Sequence, residues 1–202
     1  MEPIDRALER LRAALTDPTP FAGPWVESGH VDDPATLTAW VGAPAPAAID
    51  AVDRVCREQL AHPLDPMLRR LWERYDGIAI GERREDEPAA APGTIARADV
   101  AEIGEPVIWP AGRYGNLFDT VDVALPDDRV FVAFGEIPDS GWIGVGIGAH
   151  APAPVFWQDV ESHLVPAHRV ADDVASFLEA WVDAGLHLPT LLGRVGAPGW
   201  GG

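Results

Sequence analysis

Hydrophobic residues recur at helical spacing from the start of the chain. Ile4, Leu8, Leu11 and Leu15 fall close to one face, with Arg6, Glu9, Arg10 and Arg12 over the rest, so a helix is predicted over about Ile4 to Leu15. The prolines of "TDPTPFAGP" end it, because each lacks a backbone donor and restricts the residue before it. Residues 21 to 40 give no clear period, and "GAPAPA" at 42 to 47 reads as a connector. Helical spacing returns in "IDAVDRVCREQL", where Ile49, Val52, Val55, Cys56 and Leu60 share a face. It returns again in "MLRRLWERY", through Leu68, Leu71, Trp72 and Tyr75. Asp65 stands as the cap of this helix and Pro66 at its first position. Asp76-Gly77 stops it, glycine taking the left-handed C-cap conformation readily, and the chain passes into "IAI", a short strand.

Past a charged, Ala/Pro-rich interruption at 82 to 99, read as a surface loop, the pattern changes to extended segments. Branched and aromatic residues mark "PVIW" (106 to 109), "LFDTVDVAL" (117 to 125), "RVFVAFG" (129 to 135), "WIGVGIG" (142 to 148) and "PVFWQD" (154 to 159) as strands. "PDD" and "PDSG" supply turns, and no long helix intervenes, which favours antiparallel pairing. "VADDVASFLEAWVDAG", Val170 to Gly185, is then a helix whose stripe comprises Val170, Val174, Phe177, Leu178, Trp181 and Val182. Asp172 or Asp173 can cap it. Burying each large side chain of that stripe contributes roughly 1.5–3 kcal/mol, and the preceding sheet is its natural target. The expected fold class is α+β, a mainly antiparallel sheet packed against helices. Residues 1–46 form an N-terminal helix and irregular extension, 47–185 the α+β domain, and 186–202 a C-terminal tail.

Composition adds a real core: 47% of the 202 residues are hydrophobic, including 8 Trp. Fifteen basic residues, none of them lysine, stand against 32 acidic ones, for a formal charge of -17. Direct binding to a nucleic-acid backbone needs a positive footprint and is disfavoured, whereas a basic protein partner is favoured. One cysteine, Cys56, excludes an internal disulfide or a multi-cysteine metal site, and its inward position reads as a buried thiol. The charged N-terminus has no apolar signal core, and no run of 18 apolar residues suits a membrane span, so a cytoplasmic protein is expected.

The candidate chemistry is sparse. His163 and His168, with Asp159 and Glu161, carry the residue types of a metal-dependent hydrolase, yet Pro166 interrupts them and the five-residue interval is not a helical pairing. The alternative is an ordinary polar connection. Asp119 and Asp122 would face opposite sides of a strand, and Asp127 and Asp128 lie in a turn. Ser140 lacks a nucleophile elbow, and "GWIGVGIG" has neither the glycine order nor the following helix of a dinucleotide site. No catalytic, cofactor or metal residue is therefore selected. Trp72 and Trp181 belong to the core; Trp109, Trp142 and Trp157 lie on or beside strands, and Trp142, after the "IPDSG" turn, is the best recognition anchor among them.

The order of elements resembles the SMI1/KNR4 (SUKH) superfamily. "PLDPMLRRLWERYDGIAI", "VFVAFGEIPDSGWIGVGIG", "PVFWQD" and "VADDVASFLEAWVDAG" carry the likeness over roughly residues 47 to 185. Asp76-Gly77 stands where the family ends its helix in asparagine-glycine. Asp173 and Val174 stand at the serine and phenylalanine of its closing helix. Many bacterial members are immunity proteins that neutralise toxins, often nucleases, by stoichiometric binding. The resemblance thus implies a non-enzymatic protein-binding scaffold whose partner is a cognate toxin, with a regulatory interaction domain as the variant reading. Glu136, Asp139 and Trp142, gathered at one turn, are the candidate partner-binding residues; plain turn and strand packing is the other reading of the same three. Oligomeric state is left open.

Overall fold

A computed structural model describes residues 2–83, 91, 93–100, 107–113, 125–149, 152–159 and 166–200. The chain is α+β, with helices packed against antiparallel-dominated sheets. The helices are α1 (Pro3–Thr16), α2 (Gly23–Glu27), α3 (Pro46–Leu60), α4 (Pro66–Arg74), α5 (Val174–Asp183) and α6 (Leu188–Arg194). The strands are β1 (Leu37–Val41), β2 (Ile78–Glu82), β3 (Ala96–Arg97), β4 (Val130–Ile137), β5 (Gly141–Ile147), β6 (Val155–Asp159) and β7 (His168–Ala171). None of the described helices is long and apolar enough to cross a membrane.

One sheet has the order β2-β1-β3, with β3 parallel to β1, and the other the order β4-β5-β6-β7, antiparallel throughout. The "PVIW" segment joins them. Ile108 exchanges backbone bonds with Ile78 of β2, while Trp109 donates its N–H to the Phe134 carbonyl and Glu136 donates to that of Val107. The strand expected over 117 to 125 lies outside the described residues except for Leu125.

Alternation sorts the β4–β6 side chains onto two faces. Val132, Val145 and Val155 are aligned across the sheet, with Ile143 and Trp157 on the same side. Phe134 on this side meets Phe177 of α5 edge-to-face at 5.6 Å, so the α5 stripe does cover the sheet. The stripe is shared with α1. Arg6 pairs with Glu179 and Arg10 with Asp183, both steps of four, so the two helices run parallel, with Ala7, Leu11 and Ala14 of α1 fully buried.

Several local expectations shift. The closing helix starts at Val174, with Asp173 accepting from the Ser176 N–H, because Val170 is already committed to the β7 ladder. α4 is capped as expected by Asp65, but its last turn ends at Arg74 with an extended Tyr75; the left-handed residue is Gly77, beyond that end. "GAPAPA" donates its final residues to α3. The interruption at 82 to 99 yields β3, and the aperiodic residues 21 to 40 yield α2 and β1.

The division at 46 and 185 does not partition the core. A single apolar cluster runs from Ile4 through Leu68, Phe134 and Trp181 to Leu192 and Ala197. The first 46 residues supply a buried helix and a sheet strand, and the tail supplies α6. Trp200 closes the tail edge-to-face on Trp157 at 5.9 Å.

Candidate functional site

The β4–β5 hairpin brings the three partner-binding candidates together. Glu136 and Trp142 are direct cross-strand partners on the face alternate to Ile143, and Gln158 of β6 continues the row beside Trp142. Asp139 sits at the exposed tip in a left-handed conformation, φ 55°, which aspartate tolerates better than most residues. The Ser140 N–H closes the turn on the Ile137 carbonyl. Trp142 is half-buried against the core, so only part of its side chain is open to a partner.

Glu136 is already engaged. Arg113 pairs with it at 3.1 Å and lays its guanidinium over the Trp109 ring, 4.7 Å from the centroid. This stack fixes the Glu136 carboxylate beside Trp142, a feature sequence spacing could not reveal because Arg113 is 23 positions away. Trp109 and Trp157 are core residues, as are Trp72 and Trp181.

The charge distribution sharpens the picture. Arg6, Arg10, Arg12, Arg57, Arg69, Arg70 and Arg74 on α1, α3 and α4 all pair with carboxylates. The helix layer is therefore largely neutralised, while Asp127, Asp128 and Asp139 stand in exposed turns at the ends of β4. At the end opposite the hairpin tip, a cleft of about 730 Å³ is lined by Phe156, Arg129, Arg169, Asp172 and prolines 126, 152, 154 and 166. Its two arginines are spoken for: Arg129 donates to the Gly146 carbonyl and Arg169 to Asp172.

Of the hydrolase candidates, Glu161 and His163 lie outside the described residues, as does the separate carboxylate pair Asp119 and Asp122. His168 is half-buried on β7 with its Nε2 3.1 Å from the Val195 carbonyl, a tether between the strand and the tail. Cys56 is buried, and burial first, with the nearby Asp53 charge, pushes its thiol up to about 12, so the nucleophilic thiolate is suppressed. Among the described residues no three His, Cys, Asp or Glu side chains gather as a metal-binding group.

A cluster the sequence did not signal lies where α2 meets the start of α6. The Ser28 Oγ is 2.6 Å from His30 Nδ1 and 3.4 Å from His187 Nε2, and the His187 Nδ1 is 2.9 Å from Thr190 Oγ1. Trp25 stands edge-on to both imidazoles, at 5.0 Å from His187 and 6.0 Å from His30. His187 is 4% exposed, and burial, assisted by the neighbouring His30, lowers it to about 4. The two histidines are 157 positions apart in sequence, so no local motif could have joined them.

Compared with protein-family models, curated proteins and solved structures, the chain has no match.

Proposed function

We propose that this protein is a non-catalytic binding protein of the immunity type, which neutralises a basic nuclease toxin by stoichiometric capture at the β4–β5 hairpin. The observation that carries the reading is the row formed by Glu136 and Trp142 beneath the exposed Asp139. A half-buried aromatic side chain with Glu136 beside it and Asp139 at the tip suits the apolar anchor and charged rim of a protein interface. The Arg113 stack holds Glu136 in place before any partner arrives, which lowers the ordering entropy of binding. Net charge of -17 would steer a basic partner towards the protein, and the paired helix layer leaves exposed acidic turns to orient it. The likeness of element order to the SMI1/KNR4 (SUKH) superfamily points the same way.

The test is calorimetric titration of the protein with a basic nuclease toxin domain encoded beside it, followed by an assay of the nuclease. A one-to-one complex that abolishes cleavage, weakened by Asp139→Ala and Trp142→Ala, is expected. Absence of a complex at micromolar concentration overturns the toxin-neutralising reading. A complex that leaves cleavage intact favours a regulatory interaction domain using the same surface.

A further inference from the structure

We infer that Ser28, His30 and His187 form a binding site for a divalent transition-metal ion, with Zn²⁺ the probe of choice. The inference does not rest on the toxin-binding reading and uses a different part of the molecule.

The two imidazoles present nitrogens to one point. His30 Nδ1 and His187 Nε2 both lie within 3.4 Å of the same Ser28 oxygen, and the ring centroids are 5.4 Å apart. Ligand atoms about 2.0–2.1 Å from a tetrahedral Zn²⁺ lie about 3.4 Å from one another, so the Ser28–His187 separation of 3.4 Å already fits, while the Ser28–His30 separation of 2.6 Å must open by about 0.8 Å. Two imidazoles and a hydroxyl leave room for water at the fourth position. This donor set suits Zn²⁺, Cu²⁺ or Ni²⁺ rather than the oxygen-seeking Ca²⁺ or Mg²⁺.

The surroundings orient the ligands. When His187 Nδ1 carries the proton and donates it to Thr190 Oγ1, the Nε2 lone pair faces Ser28 and His30. Such an outer hydrogen bond fixes tautomer and ring plane in metal-bound histidines. On the other side, the Gly29 N–H donates to the Val26 carbonyl and the His30 N–H to that of Trp25, with Gly29 at φ 75°. This Schellman turn carries His30 back over Ser28. Bound metal would join the α2 turn to the start of α6.

The experiment is titration of chelator-treated full-length protein with Zn²⁺, read by calorimetry and thermal unfolding, with Cu²⁺ used for nitrogen hyperfine structure in electron paramagnetic resonance. One ion per chain, a raised unfolding temperature and two coordinated nitrogens are expected. His30 is exposed, so His30→Ala should fold normally and lose affinity by more than tenfold. Thr190→Val should lose about tenfold through the outer bond alone. His62→Ala, which alters a histidine at the end of α3, should bind as the unaltered protein does. Equal binding by the His30→Ala protein, loss of binding in His62→Ala, or no binding at all overturns the inference.

Discussion

The indole N–H of Trp25 donates to the carbonyl of Gly185 at 2.9 Å, joining positions 160 residues apart. Both partners belong to helix ends. Gly185, at φ 75°, terminates α5 through bonds from its N–H to the Val182 carbonyl and from the Leu186 N–H to that of Trp181. This is the same turn that ends α2 at Gly29. The N-terminal segment is thereby fastened to the close of the helix that backs the sheet. Trp25→Phe keeps most of the apolar bulk and removes the donor. It is expected to lower unfolding stability by about 1–3 kcal/mol, the range for leaving a buried carbonyl unsatisfied, read as a shift in the urea midpoint. An unchanged midpoint would show that the bond carries no net stability.

Gly144 and Gly146 of "GWIGVGIG" lie on the face of the sheet that bears Glu136 and Trp142. A Cβ on Gly144 would lie 2.5 Å from the Phe131 ring and 2.8 Å from the Val132 carbonyl oxygen. One of those contacts is backbone, so rotation of the ring alone cannot relieve the clash. Gly144→Ala should therefore destabilise the protein by about 1–3 kcal/mol, as overpacking does, measurable by chemical denaturation. A neutral outcome would mean that β4 and β5 can part locally at no expense.

These two cases mark how far the sequence could be read. The helical stripes of α1, α3, α4 and α5 and the extended character of β4, β5 and β6 were legible, because periods of 3.6 and 2 record which side chains face the core. The hairpin was legible through "IPDSG", whose turn residues set Glu136 opposite Trp142. The beginning of α5 was misread since Val170 fits the helical stripe by spacing, while its place in β7 depends on pairing with β6. α2 and β1 were missed because five-residue elements show too little period. The Arg113 stack under Glu136 and the meeting of His30 with His187 depend on long-range packing, for which a linear pattern holds no signal.

Asp65 gives a test in which charge and capping separate. It is 6% exposed and accepts from the Met67 and Leu68 N–H groups at the start of α4. Burial outweighs those bonds and, with the Asp173 charge nearby, raises its carboxyl above the usual 3.8. The fold thus favours the protonated acid, and ionisation weakens the native state as pH rises from 3.8 through the raised value. Asp65→Asn keeps an oxygen acceptor without the charge. It should be at least as stable as the parent at pH 7, with any advantage vanishing in acid below 3.8. Asp65→Ala loses the cap and should cost about 1 kcal/mol at any pH. Denaturation of the three proteins across pH 3 to 7 decides the matter, and a less stable asparagine variant at neutral pH would refute it.

His187 predicts the opposite slope, for metal-free protein. Burial lowers its folded value to about 4 from 6.5 in the unfolded chain, so the unfolded state takes up the proton first. Stability should be level above about pH 7.5, fall as pH drops from 6.5 towards 4, and level off again below that. At about 1.36 kcal/mol per pH unit, the full loss over this range is a little over 3 kcal/mol. Among the described residues the groups facing the ring are His30, the Ser28 and Thr190 hydroxyls and the Trp25 indole, none of which supplies an anion to hold an imidazolium. Protonation would also turn Nε2 into a donor, which Ser28 can accept only by giving its own proton to His30 or to the Trp25 carbonyl. Nuclear magnetic resonance of the His187 ring protons measures its titration directly, beside urea midpoints taken over the same range. A His187 midpoint near 6.5, or a stability profile flat from pH 7 to 4, would mean that the clasp between α2 and α6 accommodates the charge.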